Sequence, residues 1–207
     1  MSAVIVLAAA GGGVTAALAN GAEPGPAPRP SASAKPATDS ADAGFARDMA
    51  VHHQQAVEMS FIVRDRTDDE EIRRLAYDIA NTQANQRGML LGWLDLWGLP
   101  KASGEPPMAW MGMAHDMDEG HDGALMPGMA TRTELARLTK AEGKRAEILY
   151  LQLMTDHHKG GVHMARGCVE KCDVRVERDL ADGMVAAQES ELKLMAELLR
   201  KRGSGPR

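Results

Sequence analysis

Met49-Ala-Val-His-His-Gln-Gln-Ala-Val-Glu-Met59 returns later in the chain as Met154-Thr-Asp-His-His-Lys-Gly-Gly-Val-His-Met164. A displacement of 105 residues sets Met49, His52, His53, Val57 and Met59 on Met154, His157, His158, Val162 and Met164 without a gap. It also sets Phe45 on Tyr150, and Asp68, Arg73, Leu75, Ala76, Gln83 and Leu94 on Asp173, Arg178, Leu180, Ala181, Gln188 and Leu199. Self-similarity at one fixed offset marks duplicated structural units. Each unit, 45–94 and 150–199, is too long for a solenoid repeat and has the length of a helical hairpin. Two hairpins make a four-helix bundle, so the expected fold class is all-α.

Periodicity places the helices. Phe45, Met49, His52, Ala56, Met59 and Val63 recur at alternating four- and three-residue steps, a single stripe along one helix face. Thr67-Asp68-Asp69-Glu70 has the pattern of a capping box and predicts a second helix to about Trp97, with Leu75, Ile79, Leu90 and Leu94 inward and Gly98-Leu99-Pro100 as its stop. Thr131 to Glu134 is a second capping box, opening a segment that Gly143 interrupts before a third main helix running to about Gly167. Asp173 is the expected cap of the fourth, which ends near Arg202. Loops of a few residues within each hairpin make its two helices antiparallel neighbours.

Outside the repeat, the uncharged apolar run 3–19 reads as an export signal, with Ala17-Leu18-Ala19 as a small-x-small cleavage pattern. The basic segment that usually precedes such a run is missing, so an uncleaved N-terminal membrane anchor is the alternative. No cysteine lies near residue 20 to carry a lipid. The expected organisation is a signal or anchor at 1–19, a disordered Pro/Ala-rich linker at 20–42, and a bundle domain at 43–202, followed by a tail at 203–207. Within the bundle the first hairpin spans 43–98, the Met/His-rich connection 99–130 and the second hairpin 131–202.

Net charge is −5 with both signs mixed along the chain, which leaves no basic stripe for a phosphate backbone and argues against nucleic acid as a partner. Aromatic residues make up 3 %, whereas methionine reaches 14 residues, several in the Gly/Pro-containing connection that cannot be core helix. This distribution points to chemistry rather than packing.

With 3.6 residues per turn, His52 stands on the buried stripe one turn from Met49 and Ala56, and His157 stands the same way among Met154, Gly161 and Met164. His53 and His158, about 100° round the helix, are expected at the periphery of that stripe. One buried histidine is ordinarily a hydrogen-bonded core residue. Two copies of Met-x2-His-His-x5-Met on facing helices instead offer four imidazoles and four thioethers to one region. Imidazole is the commonest metal ligand, and thioether is a soft donor suited to Cu(I). Met49, His52, His53, Met59, Met154, His157, His158 and Met164 are therefore candidate metal ligands, with a purely structural polar layer as the alternative. Asp48, Glu58, Asp156 and His163 read first as a solvated charged face, with extra ligands or groups that orient the rings as the alternative. Gln83 and Gln188 are either exposed or paired with the imidazoles.

Six methionines and two histidines lie between Met108 and Met129. Met111, Met113, His115, Met117 and His121 are there a candidate set for capturing copper or silver. Cys168 and Cys172 form either a disulfide, as expected for an exported chain, or a thiolate pair for a soft metal.

Phe45, Asp48-Met49, His52-His53, Ala56-Val57 and Met59, with Met126-Pro-Gly-Met129 and Leu151-x-Leu-Met-x-Asp-His-His-x2-Gly161-x2-Met164, resemble the exported bacterial family called domain of unknown function 305. The resemblance covers about residues 43–200. It implies a ferritin-like four-helix bundle outside the cytoplasm and, through the family's CopM-type members, protective copper binding. The expected function is that of an extracytoplasmic, non-enzymatic protein that sequesters copper or passes it to another envelope copper protein. A structural or interaction bundle without metal is the alternative. A di-iron or di-manganese oxidase is disfavoured because such bundles use Glu-x-x-His motifs, and this sequence has none.

Overall fold

The computed structural model describes residues 35–113 and 122–207. The expected export segment, most of the linker, and His115, Met117 and His121 lie outside them. Five α-helices, α1 (Ala41–Arg64), α2 (Glu70–Trp97), α3 (Arg132–Lys140), α4 (Gly143–Lys171) and α5 (Arg175–Lys201), form the structure, with one 3-10 turn at Ala109–Met111 and no strand among the described residues. The chain is all-α, and its four long helices are the two repeated hairpins. No described helix is long and apolar enough to cross a membrane.

The predicted stripe on α1 is correct at every position: Phe45, Met49, His52, Ala56, Met59 and Val63 are all fully buried. Helix termini follow the expected local chemistry with four departures. The Thr131 capping box is present, its hydroxyl accepting from Glu134 N while Glu134 accepts from Thr131 N. At α2, however, the cap is Asp69 rather than Thr67, because the Thr67 hydroxyl is committed to Glu147 at 2.6 Å and accepts from Asp69 N. Asp69→Ala is accordingly expected to cost about 1 kcal/mol in chemical denaturation, the usual worth of an N-cap. Helix α4 continues past Gly167 to Lys171, and Asp173 does not cap α5; the carboxylate of Asp42 accepts from Val174 N at 2.7 Å instead. Ser40 caps α1, so helix begins at Ala41, inside the stretch expected to be linker.

Two apolar clusters fill the bundle. One joins Met59, Val63, Ile72, Ile79, Tyr150, Met154, Met195 and Leu198. The other joins Phe45, Met49, Leu90, Leu94, Met108, Met126, Met164 and Met184. Because the C-terminal half of α1 shares a cluster with the N-terminal half of α4, and the reverse holds at the other end, α1 and α4 run antiparallel. Between the clusters, one position on each long helix is polar: His52, Gln83, His157 and Gln188, all buried. The bundle thus has two greasy ends and a polar waist.

The described parts of the connection are packed rather than free. Met108 and Met126 are buried. Gln55, itself buried, clamps Ala130 with both amide atoms, donating to its carbonyl at 2.9 Å and accepting from its N–H at 2.7 Å. Gly128, at φ 81°, lets the chain lie directly on α4, where a Cβ would stand 2.3 Å from the Asp156 carbonyl. Only glycine combines that backbone angle with that approach.

Candidate metal centre

His52 and His157 meet at the crossing of α1 and α4, with ring centroids 3.8 Å apart and planes tilted by 31°. Duplication about a local two-fold explains the contact, since equivalent positions on antiparallel helices must face each other where the helices cross. His53 and His158 depart from the expected periphery: both are fully buried. Helices α2 and α5 cover that flank and supply each ring with an oxygen. His53 Nε2 donates to Gln86 Oε1 at 2.9 Å, and His158 Nε2 donates to Glu191 Oε2 at 2.5 Å. Gln86 and Glu191 are themselves equivalent under the 105-residue repeat, but as different residue types they escaped the comparison of identities. Their shared offset is the signal that could have found them.

His157 Nε2 donates to the backbone carbonyl of His52 at 2.9 Å. Three of the four imidazoles therefore place Nε2–H on an oxygen, and in neutral rings this leaves Nδ1 as a bare lone pair. Those Nδ1 atoms have no hydrogen-bond partner, and neither nitrogen of His52 makes a hydrogen bond of good geometry, although the Pro127 carbonyl lies near that ring. Both amide atoms of Gln83 and the Oε1 of Gln188 are also orphaned. Buried polar atoms are almost always paired, so a concentration of orphans in one layer calls for an explanation. A metal is a suitable one, because an imidazole that binds metal through one nitrogen typically donates the other N–H to a carbonyl or carboxylate.

Burial, reinforced by the neighbouring imidazoles, lowers the His52 pKa to about 3 and that of His157 well below its ordinary value. Burial lowers His53 to about 3 as well. At neutral pH these rings are uncharged and their lone pairs are open to a cation. The layer is equally well suited to excluding water, with His52 wholly enclosed and His157 only 1 % exposed.

The ten described members of the expected ligand set do not converge on one point. The rings of His52 and His53 are 6.5 Å apart and those of His157 and His158 6.3 Å apart, so the four imidazoles form a central pair with two outliers. Met49 and Met164 flank the pair in one apolar cluster, and Met59 and Met154 flank it in the other. Met111 and Met113 lie against the Met49 and Met164 cluster from the connection. Beside His157, the surface at Gly161 is covered by Gln188, whose Oε1 would be 2.5 Å from a Cβ there.

Cys168 and Cys172 form a disulfide, with Cα atoms 4.8 Å apart. Among the described residues, three His, Cys or carboxylate donor atoms come within 4.8 Å of one another only at this pair and Glu177. The disulfide removes the thiolates from that group. Asp48, expected on a solvated face, is instead half-buried and accepts from Met108 N at 2.8 Å and Trp110 Nε1 at 2.9 Å, which moors the connection to α1. Glu58 and His163 are exposed as expected.

Comparison with known proteins agrees with this architecture. A DUF305 protein from Streptomyces coelicolor, presumed to be secreted, has a crystal structure 67 % identical in sequence with TM-score 0.77, covering 83 % of this chain and 99 % of its own. A DUF305 fragment from Deinococcus radiodurans is 27 % identical with TM-score 0.65, covering 78 % and 96 %. CopM in its Cu(I)-bound form is 19 % identical with TM-score 0.59, covering 77 % and 96 %, and has the same fold. No curated protein matches. The profile of the domain of unknown function 305 matches residues 42–199, a span that takes in both His-His motifs and all but the outermost residues of the four long helices: the chain belongs to the DUF305 family.

Proposed function

We propose that this protein binds copper in the cell envelope, sequestering it or passing it to another envelope copper protein, without catalysing a reaction. The observation that carries the reading is the set of buried Nδ1 atoms without hydrogen-bond partners on His53, His157 and His158, together with the ring of His52. Buried imidazoles flanked on both sides by the thioethers of Met49, Met164, Met59 and Met154 make a soft, dry donor set, which favours Cu(I) and Ag(I) over Mg, Ca or Zn. CopM, of like fold, is known in Cu(I)-, Cu(II)- and Ag-bound forms, which makes copper and silver the cations to try first. An extracytoplasmic location is supported by the family relative presumed to be secreted and by the apolar run at 3–19.

Anaerobic competition with a chromogenic Cu(I) chelator tests the proposal. The wild-type protein is expected to withdraw copper from the chelator, and His52→Ala/His157→Ala to lose at least ~100-fold in affinity, above the effect of losing an outer partner of a ligand. Undiminished affinity in the double variant would remove the imidazole layer from the function. A protein that takes up no Cu(I) at all would leave a purely structural polar waist.

A further inference from the structure

A different face of α4 carries Gly160, His163 and Gly167 at three- and four-residue spacing, and the connection is laid along it. A Cβ at Gly160 would stand 2.0 Å from the Pro127 carbonyl, and one at Gly167 would stand 2.6 Å from Met111 Cε. The glycines form a groove, and His163 rises between them. It is exposed, and its Nε2 lies 3.3 Å from Met113 Sδ. Beside the pair opens a solvent-facing cavity of about 360 Å³, walled by Pro127, Gly128, Asp156 and Lys159. In the first repeat the position of His163 is taken by Glu58, so this imidazole is no product of the duplication.

We propose that His163 and Met113 form a second, solvent-facing site for a soft monovalent cation, Cu(I) or Ag(I), separate from the buried imidazole layer. A thioether is a poor hydrogen-bond acceptor, so the contact alone gives little reason to hold the two side chains together. It is well shaped for a cation. With bonds of the length seen at zinc, about 2.0 Å from nitrogen and about 2.3 Å from sulfur, atoms 3.3 Å apart enclose an angle of about 100°, that of two adjacent ligands of a three- or four-coordinate ion whose other positions face the cavity. Imidazole with thioether is again a soft pair, which hard cations do not favour.

Placement gives the site its role. The buried layer is closed to solvent, and Pro127-Gly128, a wall of the His163 cavity, lies directly on α4 beside it. The Pro127 carbonyl faces His52 on the inner side. A cation held at His163 and Met113 is therefore one backbone thickness from the layer, where displacement of the 126–130 segment would admit it. The identity of the cation and this capture role rest on the copper-binding reading; the existence of the site does not.

Silver titration of the full chain, followed by histidine side-chain NMR and by stoichiometry at saturation, tests the proposal. Ag(I) is expected to shift the His163 ring resonances. Met113→Leu is expected to weaken that response about tenfold or more, and His163→Ala to remove one bound equivalent without touching the buried class. Because His163 is exposed, neither variant is expected to disturb folding. In His52→Ala/His157→Ala the His163 response is expected to persist. Unmoved His163 resonances, or a response indifferent to Met113→Leu, would overturn the pair. Loss of the buried equivalent in the double variant bears only on the imidazole layer, so the two readings fail separately.

Discussion

Replacing His52 and His157 together by leucine is expected to raise the stability of the metal-free protein by about 2–4 kcal/mol while abolishing stabilisation by Cu(I). An unsatisfied buried polar group costs about 1–3 kcal/mol, and this pair contributes three unpartnered nitrogens. Leucine is close to histidine in volume and would join the two apolar clusters into one continuous core. The single hydrogen bond surrendered, from His157 Nε2 to the His52 carbonyl, offsets about 1 kcal/mol of the gain. With Cu(I) at a thousandfold excess over its dissociation constant the order reverses, because ligand binding then adds about 4 kcal/mol to the wild type alone. Urea denaturation of both proteins, with and without Cu(I), measures all four values. A leucine variant less stable than the metal-free wild type would show that the imidazoles serve packing. Stability withheld from the metal-free state is the signature expected of a binding site.

The stability of the metal-free protein is also expected to peak near pH 6.5 and to fall on both sides. His52 and His53 are lowered to about 3 and His157 is lowered as well, all by burial, whereas the unfolded chain protonates them near 6.5. Between those limits the unfolded state binds more protons than the folded one, so stability rises with pH. Glu177 acts in the opposite sense. Burial and the adjacent Asp42 carboxylate raise it to about 9, so from about 4.5 upward the folded state holds a proton that the unfolded chain has lost. Each such difference is worth about 1.4 kcal/mol per pH unit, and three imidazoles outweigh one carboxyl below pH 6.5. Above pH 6.5 Glu177 acts without that opposition. Denaturation midpoints from pH 4 to 9 are expected to trace both limbs, and Glu177→Gln to flatten the alkaline one while leaving the acid limb intact. An alkaline limb that persists in the variant would assign the slope to another group.

Much of the bundle was legible because its information is local. The repeat, the stripe from Phe45 to Val63, the Thr131 capping box and the stop at Gly98 each depend on residues a few positions apart. Expectations failed where a distant segment intervened. Thr67 was drawn from its capping role by Glu147, and the N–H of Val174 at the start of α5 was engaged by Asp42, from 132 positions away. His53 and His158 were placed correctly on their helix, at the edge of the stripe. Their burial arose because α2 and α5 pack over that edge, which helical periodicity does not register.

For the candidate site the division is similar. From the residues alone come the donor types, their soft character, their duplication and the inward direction of His52 and His157. Periodicity makes a residue's face of its own helix a local property. What lies opposite that face was decided by tertiary structure alone. The antiparallel crossing stacks His52 on His157, and the covering helices bring Gln86 and Glu191 to Nε2, leaving Nδ1 bare. The connection, laid in a glycine groove on α4, brings Met113 to His163. The His-His motif thus determined that a donor set exists, while packing decided which of its lone pairs are left for a metal.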